Sequence, residues 1–193
     1  MLFGDKDSFA IEFEIKTLYH NESFIGCGFF VVYINNFIYG IREDDATTFG
    51  SILHTLKKLN KSEFYSETPF NRLSDYEICD KFYDANYRIE NRYSENVLNE
   101  FKSICITDNY KEVHENYAKK YLNVWNPIEA AFDNGDFILQ INENSKVRIL
   151  GFKTDEKYDL NNLNSVTINK DIYLNILQSV IFELENTASY NGC

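Results

Sequence analysis

Phe9, Ile11, Phe13 and Ile15 alternate with Ala10, Glu12, Glu14 and Lys16, a two-residue apolar period that a strand with one buried face satisfies. Phe24 to Ile34 is rich in β-branched and aromatic residues, Asn35-Asn36 offers a tight turn, and Phe37 to Ile41 resumes the pattern. The chain is therefore expected to open with a meander of three antiparallel strands. Gly26-Cys27-Gly28 lies inside the second of these and lacks the third glycine of a dinucleotide loop. In a strand, such glycines mark a bulge.

Beyond the meander the apolar period lengthens. Thr47 or Thr48 can cap a helix carrying Phe49, Ile52, Leu53, Leu56 and Leu59, with Lys57 and Lys58 near its end. Ser74 and Glu77 have capping-box spacing, and Ile78, Phe82, Ala85 and Ile89 follow at helical intervals to about Asn91. A third helix is expected from Ser94, with Val97, Leu98, Phe101, Ile104 and Cys105 inward. A fourth is expected from Thr107 or Asp108, carrying Tyr110, Val113, Tyr117, Tyr121 and Val124. After Trp125 alternation returns: Phe137 to Ile141, a turn at Asn142 to Ser145 and Lys146 to Phe152 read as a hairpin, with a short strand at Val166 to Ile168. Asn169 can cap a last helix whose Ile172, Ile176, Leu177, Val180, Ile181 and Leu184 make a broad apolar face, expected to be well buried. Strands, then helices, then strands predict an α+β fold. Its mostly antiparallel sheet would combine the N-terminal meander with the C-terminal hairpin and strand, with helices on one face and a largely helical segment at about 70–125. With 193 residues, two prolines and scattered glycines, a single domain over residues 1–193 is expected, with no linker.

Charge narrows the partners. Nineteen basic against thirty acidic residues give a formal charge of −11, which repels phosphate backbones, so nucleic acid and anionic membranes are poor partners. Such an excess of carboxylates keeps a protein soluble, or attracts a basic protein. The first eight residues carry Asp5 and Asp7 and do not read as a secretory leader. The longest apolar run, about Gly26 to Ile34, is too short for a membrane helix. Cys27, Cys79, Cys105 and Cys193 are widely spaced, as free thiols of a reducing cytoplasm would be.

Reactive chemistry is thinly supplied. Of the three histidines, His20 falls in an expected loop, His54 on the polar side of its helix, and His114 along the Tyr110 to Tyr121 apolar face. No Cys-x-x-Cys, His-x-x-x-His, nucleophile elbow or phosphate loop is present, so no catalytic residue, cofactor or metal ligand is assigned. At about 100° per residue, the helix after Ser74 places Tyr76, Asp80, Tyr83 and Tyr87, with Asp84 beside them, opposite its aliphatic stripe. Tyrosines mixed with carboxylates suit a protein-binding face, since tyrosine loses little rotamer entropy at an interface; cover by a later segment is the structural alternative. Glu43, Asp44 and Asp45 form a second acidic group, suited to attracting a partner or to a solvated turn before a helix.

Met1-Leu2-Phe3-Gly4-Asp5 with Phe9-Ala10-Ile11-Glu12, then Asn126-Pro127, Ala131-Phe132-Asp133, Arg148 in the second hairpin strand, and Val166 to Ile168 leading into a terminal helix together resemble the immunity protein 42 family of bacterial polymorphic toxin and contact-dependent inhibition systems. The sequence departs from that pattern where a tryptophan is expected, with Asn134-Gly135-Asp136-Phe137 in its place. The resemblance implies a cytoplasmic antidote that binds and blocks a cognate toxin, a basic nuclease being one kind. The residues alone are also compatible with an intracellular adaptor for an endogenous partner, the second reading; a carboxylate hydrolase assembled from distant segments, with no recognisable motif, is a distant third.

Overall fold

The computed structural model describes residues 1–21, 24–87, 121–125, 129–154 and 160–189. Five strands form the first sheet: β1 (Leu2–Gly4), β2 (Phe9–Asn21), β3 (Phe24–Ile34) and β4 (Phe37–Tyr39) lie in that order, and β5 (Thr47–Thr48) also pairs with β3. The second sheet has the order β6 (Leu122–Val124), β7 (Asp136–Glu143), β8 (Lys146–Thr154) and β9 (Leu160–Asn169). Neighbouring strands are antiparallel throughout. The described helices are α1 (Phe49–Asn60), α2 (Asp75–Tyr87) and α3 (Lys170–Ser189), with 3₁₀ turns at Pro69–Arg72 and Glu129–Phe132.

Local chemistry explains the joins. Asn35 and Asn36 take φ of 49° and 67°, the left-handed pair that a two-residue hairpin needs and asparagine tolerates. The β2–β3 register passes from Ile15↔Gly28 to Thr17↔Cys27, leaving Lys16 as the extra residue of a bulge. A Cβ on Gly28 would lie 1.9 Å from the Glu14 carbonyl oxygen, so the glycine is what lets the strands close at this point. Asn169 caps α3 as expected, its Oδ1 accepting the Asp171 amide at 2.7 Å.

Alternation puts the two faces of the second sheet into different cores. Ile138, Val147, Ile149 and Ile168 join Phe9, Ile11, Phe13, Phe30 and Val32 of the first sheet, together with the inner faces of α1 and α3. Phe137, Leu139, Ile141, Leu150 and Phe152 point the other way, against Phe70 and Ile78, Cys79, Phe82 and Tyr83 of α2. The expected α+β class therefore holds, with two differences of arrangement. The meander and the hairpin belong to separate sheets, and α2 covers the face of the second sheet turned away from α1 and α3. Where the sheets meet, a Cβ on Gly151 would lie 2.4 Å from the Tyr39 ring. The Tyr39 hydroxyl reaches the Gly151 and Asn162 carbonyls at 2.9 and 2.7 Å, and burial pushes its pKa up to about 12.

Other differences have physical causes. β9 runs from Leu160, far ahead of Val166, by pairing with β8; Asn161, Asn162, Asn164 and Ser165 carry no apolar period that would announce it. Leu122–Val124 pairs with β7 as an edge strand and does not continue a helix; three residues are too few to display either period. Thr48 stands at the N-cap of α1 without a side-chain cap bond, because Thr47 and Thr48 instead pair with Gly28 and Cys27. Ile172, expected inside, is 57% exposed, since α3 turns Tyr173, Leu177, Val180, Ile181 and Leu184 toward the core. The expected helices from Ser94 and from Thr107 or Asp108, as far as residue 120, and His114, lie outside the described residues.

Candidate functional site

The N-terminus of α2 is fastened twice. The capping box forms: the Glu77 amide donates to Ser74 Oγ at 3.3 Å, and Glu77 Oε2 accepts from the Ser74 amide and hydroxyl, each at 2.7 Å. From β8, Arg148 then reaches under the helix. Its Nε donates to Asp75 Oδ1 at 2.7 Å, its Nη2 to Asp75 and to the Leu73 carbonyl at 3.2 Å, and Ser165 of β9 donates to Asp75 Oδ2. A lone cation among Val147, Ile149 and Leu150 was the sequence signal that such a partner was needed.

This seating decides the fate of the expected tyrosine face. Tyr76 is 55% exposed and points outward as expected, while Asp80 is half-buried. Tyr83 is only 4% exposed and stands edge-on to Phe137 at 5.6 Å, so its expected place on the surface is corrected. The buried arc runs through Ile78, Cys79, Phe82 and Tyr83, wider than the aliphatic stripe alone, because the phenyl ring of Phe137 also packs against the flank of the helix. Asp84 and Tyr87 belong to α2, but their side chains lie outside the described residues. Glu43, Asp44 and Asp45 are exposed between β4 and β5, with Asp44 3.5 Å from Lys16 of β2. The structure thus puts the acidic loop beside the first sheet and the α2 row over the second.

A charged cluster that sequence reading missed lies on the outer face of the first sheet. Glu12 Oε2 accepts from Tyr33 at 2.6 Å and Lys6 at 3.0 Å, and Oε1 from Arg42 at 2.6 Å. The Arg42 guanidinium lies over the Phe29 ring and the Lys6 ammonium over Tyr33. Its members come from three separate segments, so spacing carries no sign of it. Burial raises the Glu12 pKa, but the hydrogen bonds from Tyr33 and Lys6 and the charge of Arg42 outweigh it and hold the carboxyl below its ordinary 4.5. A depressed carboxyl stabilises the fold above its ordinary value, and that contribution is lost as pH falls through the folded value. Glu12→Gln is therefore expected to lower stability at neutral pH, with the gap from wild type narrowing at acid pH, below 4.5, as the carboxylate titrates through its depressed folded value. Urea unfolding at both pH values checks this; a gap that widens in acid refutes it.

Among the described residues, no group of three or more His, Cys, Asp or Glu side chains is placed to hold a metal ion. His54 is exposed on the polar side of α1 as expected. Burial pushes the Cys79 thiol up, which keeps it protonated and unreactive. No helix among these residues is long and apolar enough to cross a membrane.

Two antiparallel sheets with helices packed against them define an α+β protein. The chain belongs to the immunity protein 42 family, whose profile matches residues 1–183; it is a toxin-neutralising immunity protein. Its fold is similar to the crystal structure of CdiI from Burkholderia dolosa AUO158, with a TM-score of 0.58 over 95% of this chain and 99% of that one at 12% sequence identity. At that identity the likeness concerns the fold. No curated protein matches the chain.

Proposed function

We propose that the chain works in the bacterial cytoplasm by binding its cognate toxin directly, without metal or cofactor, and that the toxin surface it meets is basic. Family membership carries this reading, and the formal charge of −11 supports it. A nuclease toxin must present a positive surface to hold phosphates, and an acidic inhibitor approaches such a surface quickly. Tyr76 is an outward-facing aromatic of α2. Asp80, Asp84 and Tyr87 on the same helix, with Glu43, Asp44 and Asp45, are proposed to attract and guide the toxin. Tyr83 acts from the core, fixing the helix against Phe137.

Co-expression with the toxin encoded beside its gene tests the proposal. A complex should co-purify and growth should be restored; absence of both ends it. Neutralising Glu43, Asp44, Asp45 and Asp80 to their amides should slow association about tenfold at low salt and much less at high salt, because exposed charges steer more than they hold. An unchanged association rate in stopped-flow would remove these residues from the approach.

A further inference from the structure

One surface is apolar where the helical period would have buried it. Ile172 and Ile176 flank the inward face of α3 and, with Phe3 and Ile168, line an open groove of about 530 Å³. Its far wall is the turn between β1 and β2, including Asp5 and Ser8. Gly4 makes the groove possible. It has φ +98°, and a Cβ there would lie 2.4 Å from the Phe9 carbonyl oxygen and 3.0 Å from Ile176 Cδ1, so any side chain would force the turn away from the helix. Ile172, at 57% exposure, stands at the lip.

Charge selects the occupant. Lys and Arg are absent from the lining, its one ionisable side chain is Asp5, and Asp171 lies exposed beside Ile172. We infer that this groove docks the toxin, receiving an apolar side chain of the toxin flanked by a lysine or arginine. The inference rests on direct toxin binding as proposed above and names where the apolar anchor sits. Apolar centres with charged rims hold, while the acidic loop and α2 attract from farther away. The groove is open and apolar over most of its exposed area, which suits a side chain of a larger partner better than an enclosed small ligand.

The test compares toxin binding by the whole chain and three variants, using calorimetry with thermal unfolding as the fold control. Ile172→Lys removes the lip contact and sets cation against cation; because Ile172 is exposed, unfolding should barely change. Asp5→Asn keeps the acceptor that holds the Asp7 amide at 3.0 Å while removing the charge. Tyr76→Ala probes α2. The groove predicts at least about tenfold weaker binding for Ile172→Lys and a smaller loss for Asp5→Asn, as anchor and rim positions differ. Wild-type affinity in Ile172→Lys, whether or not Tyr76→Ala is impaired, overturns the groove. Failure of the wild-type chain to bind the toxin overturns instead the direct-binding reading on which it rests.

Discussion

Gln140→Leu is expected to cost about 3–5 kcal/mol of stability, because it leaves several buried polar groups unpaired at once. Gln140 is fully buried. Its Oε1 accepts from the Trp125 indole at 3.0 Å and from the Tyr173 hydroxyl, and its Nε2 donates to Asn142 Oδ1 at 2.7 Å. Asn142 continues the chain to Ser62 Oγ at 2.6 Å and the Glu63 carbonyl at 3.0 Å. This run ties β7, an inner strand of the second sheet, to α3, to the segment after β6 and to the loop after α1. Burial holds the Tyr173 phenol well above its ordinary pKa, so it remains a donor at any pH the protein meets. Leucine matches glutamine in volume, so the loss is one of hydrogen bonds and not of packing. Adding Tyr173→Phe to Gln140→Leu should return about 1 kcal/mol by removing an orphaned hydroxyl. Urea unfolding measures both. A cost below about 1 kcal/mol for the single variant would mean that water satisfies these groups.

Period and turn chemistry made much of this fold legible. The alternation at Phe9 to Ile15, the Asn35-Asn36 turn, the Ser74–Glu77 box and the Asn169 cap are local signals, and each was found where its residues placed it. Long-range pairing was not legible. Nothing within β7 says that Phe137 turns to α2 while Ile138 turns to the first sheet, because alternation shows that two faces exist but not what covers them. The same limit applies to the proposed site. Tyr83 and Tyr76 are both polar-capped aromatics off the aliphatic stripe, and the packing of Phe137 against Tyr83 is a tertiary contact that no helical period announces. The groove at Ile172 was concealed for the opposite reason: the period assigned that residue to the core, and the close approach permitted by Gly4 is a tertiary fact.

The second large effect concerns the seat of α2. Arg148→Met is expected to cost about 2–4 kcal/mol, toward the lower part of the range for a broken buried pair because Arg148 and Asp75 keep some solvent contact. Among the described residues of the second sheet, the variant leaves the Asp75 carboxylate the Ser165 hydroxyl as its donor, and it takes a donor from the Leu73 carbonyl. Asp75→Asn should cost less, since the amide oxygen can still accept from Arg148. The double variant Arg148→Met, Asp75→Asn should recover part of the loss, as the stranded charge is gone. The loss should also be local. Arg148 joins the helix to β8 without belonging to the core that the two sheets share, so hydrogen exchange should show α2 amides opening while β7 and β8 stay protected. Equal loss of protection in α2 and β8 would show that this ion pair supports the whole fold. If α2 alone loosens, Ile78, Cys79, Phe82 and Tyr83 lose their fixed position over the sheet, and the place of Tyr76 goes with them. Toxin binding by this variant then separates two roles for the helix. If the groove beside α3 holds the anchor, on the other side of the second sheet, affinity should survive a loosened α2 with only a slower approach.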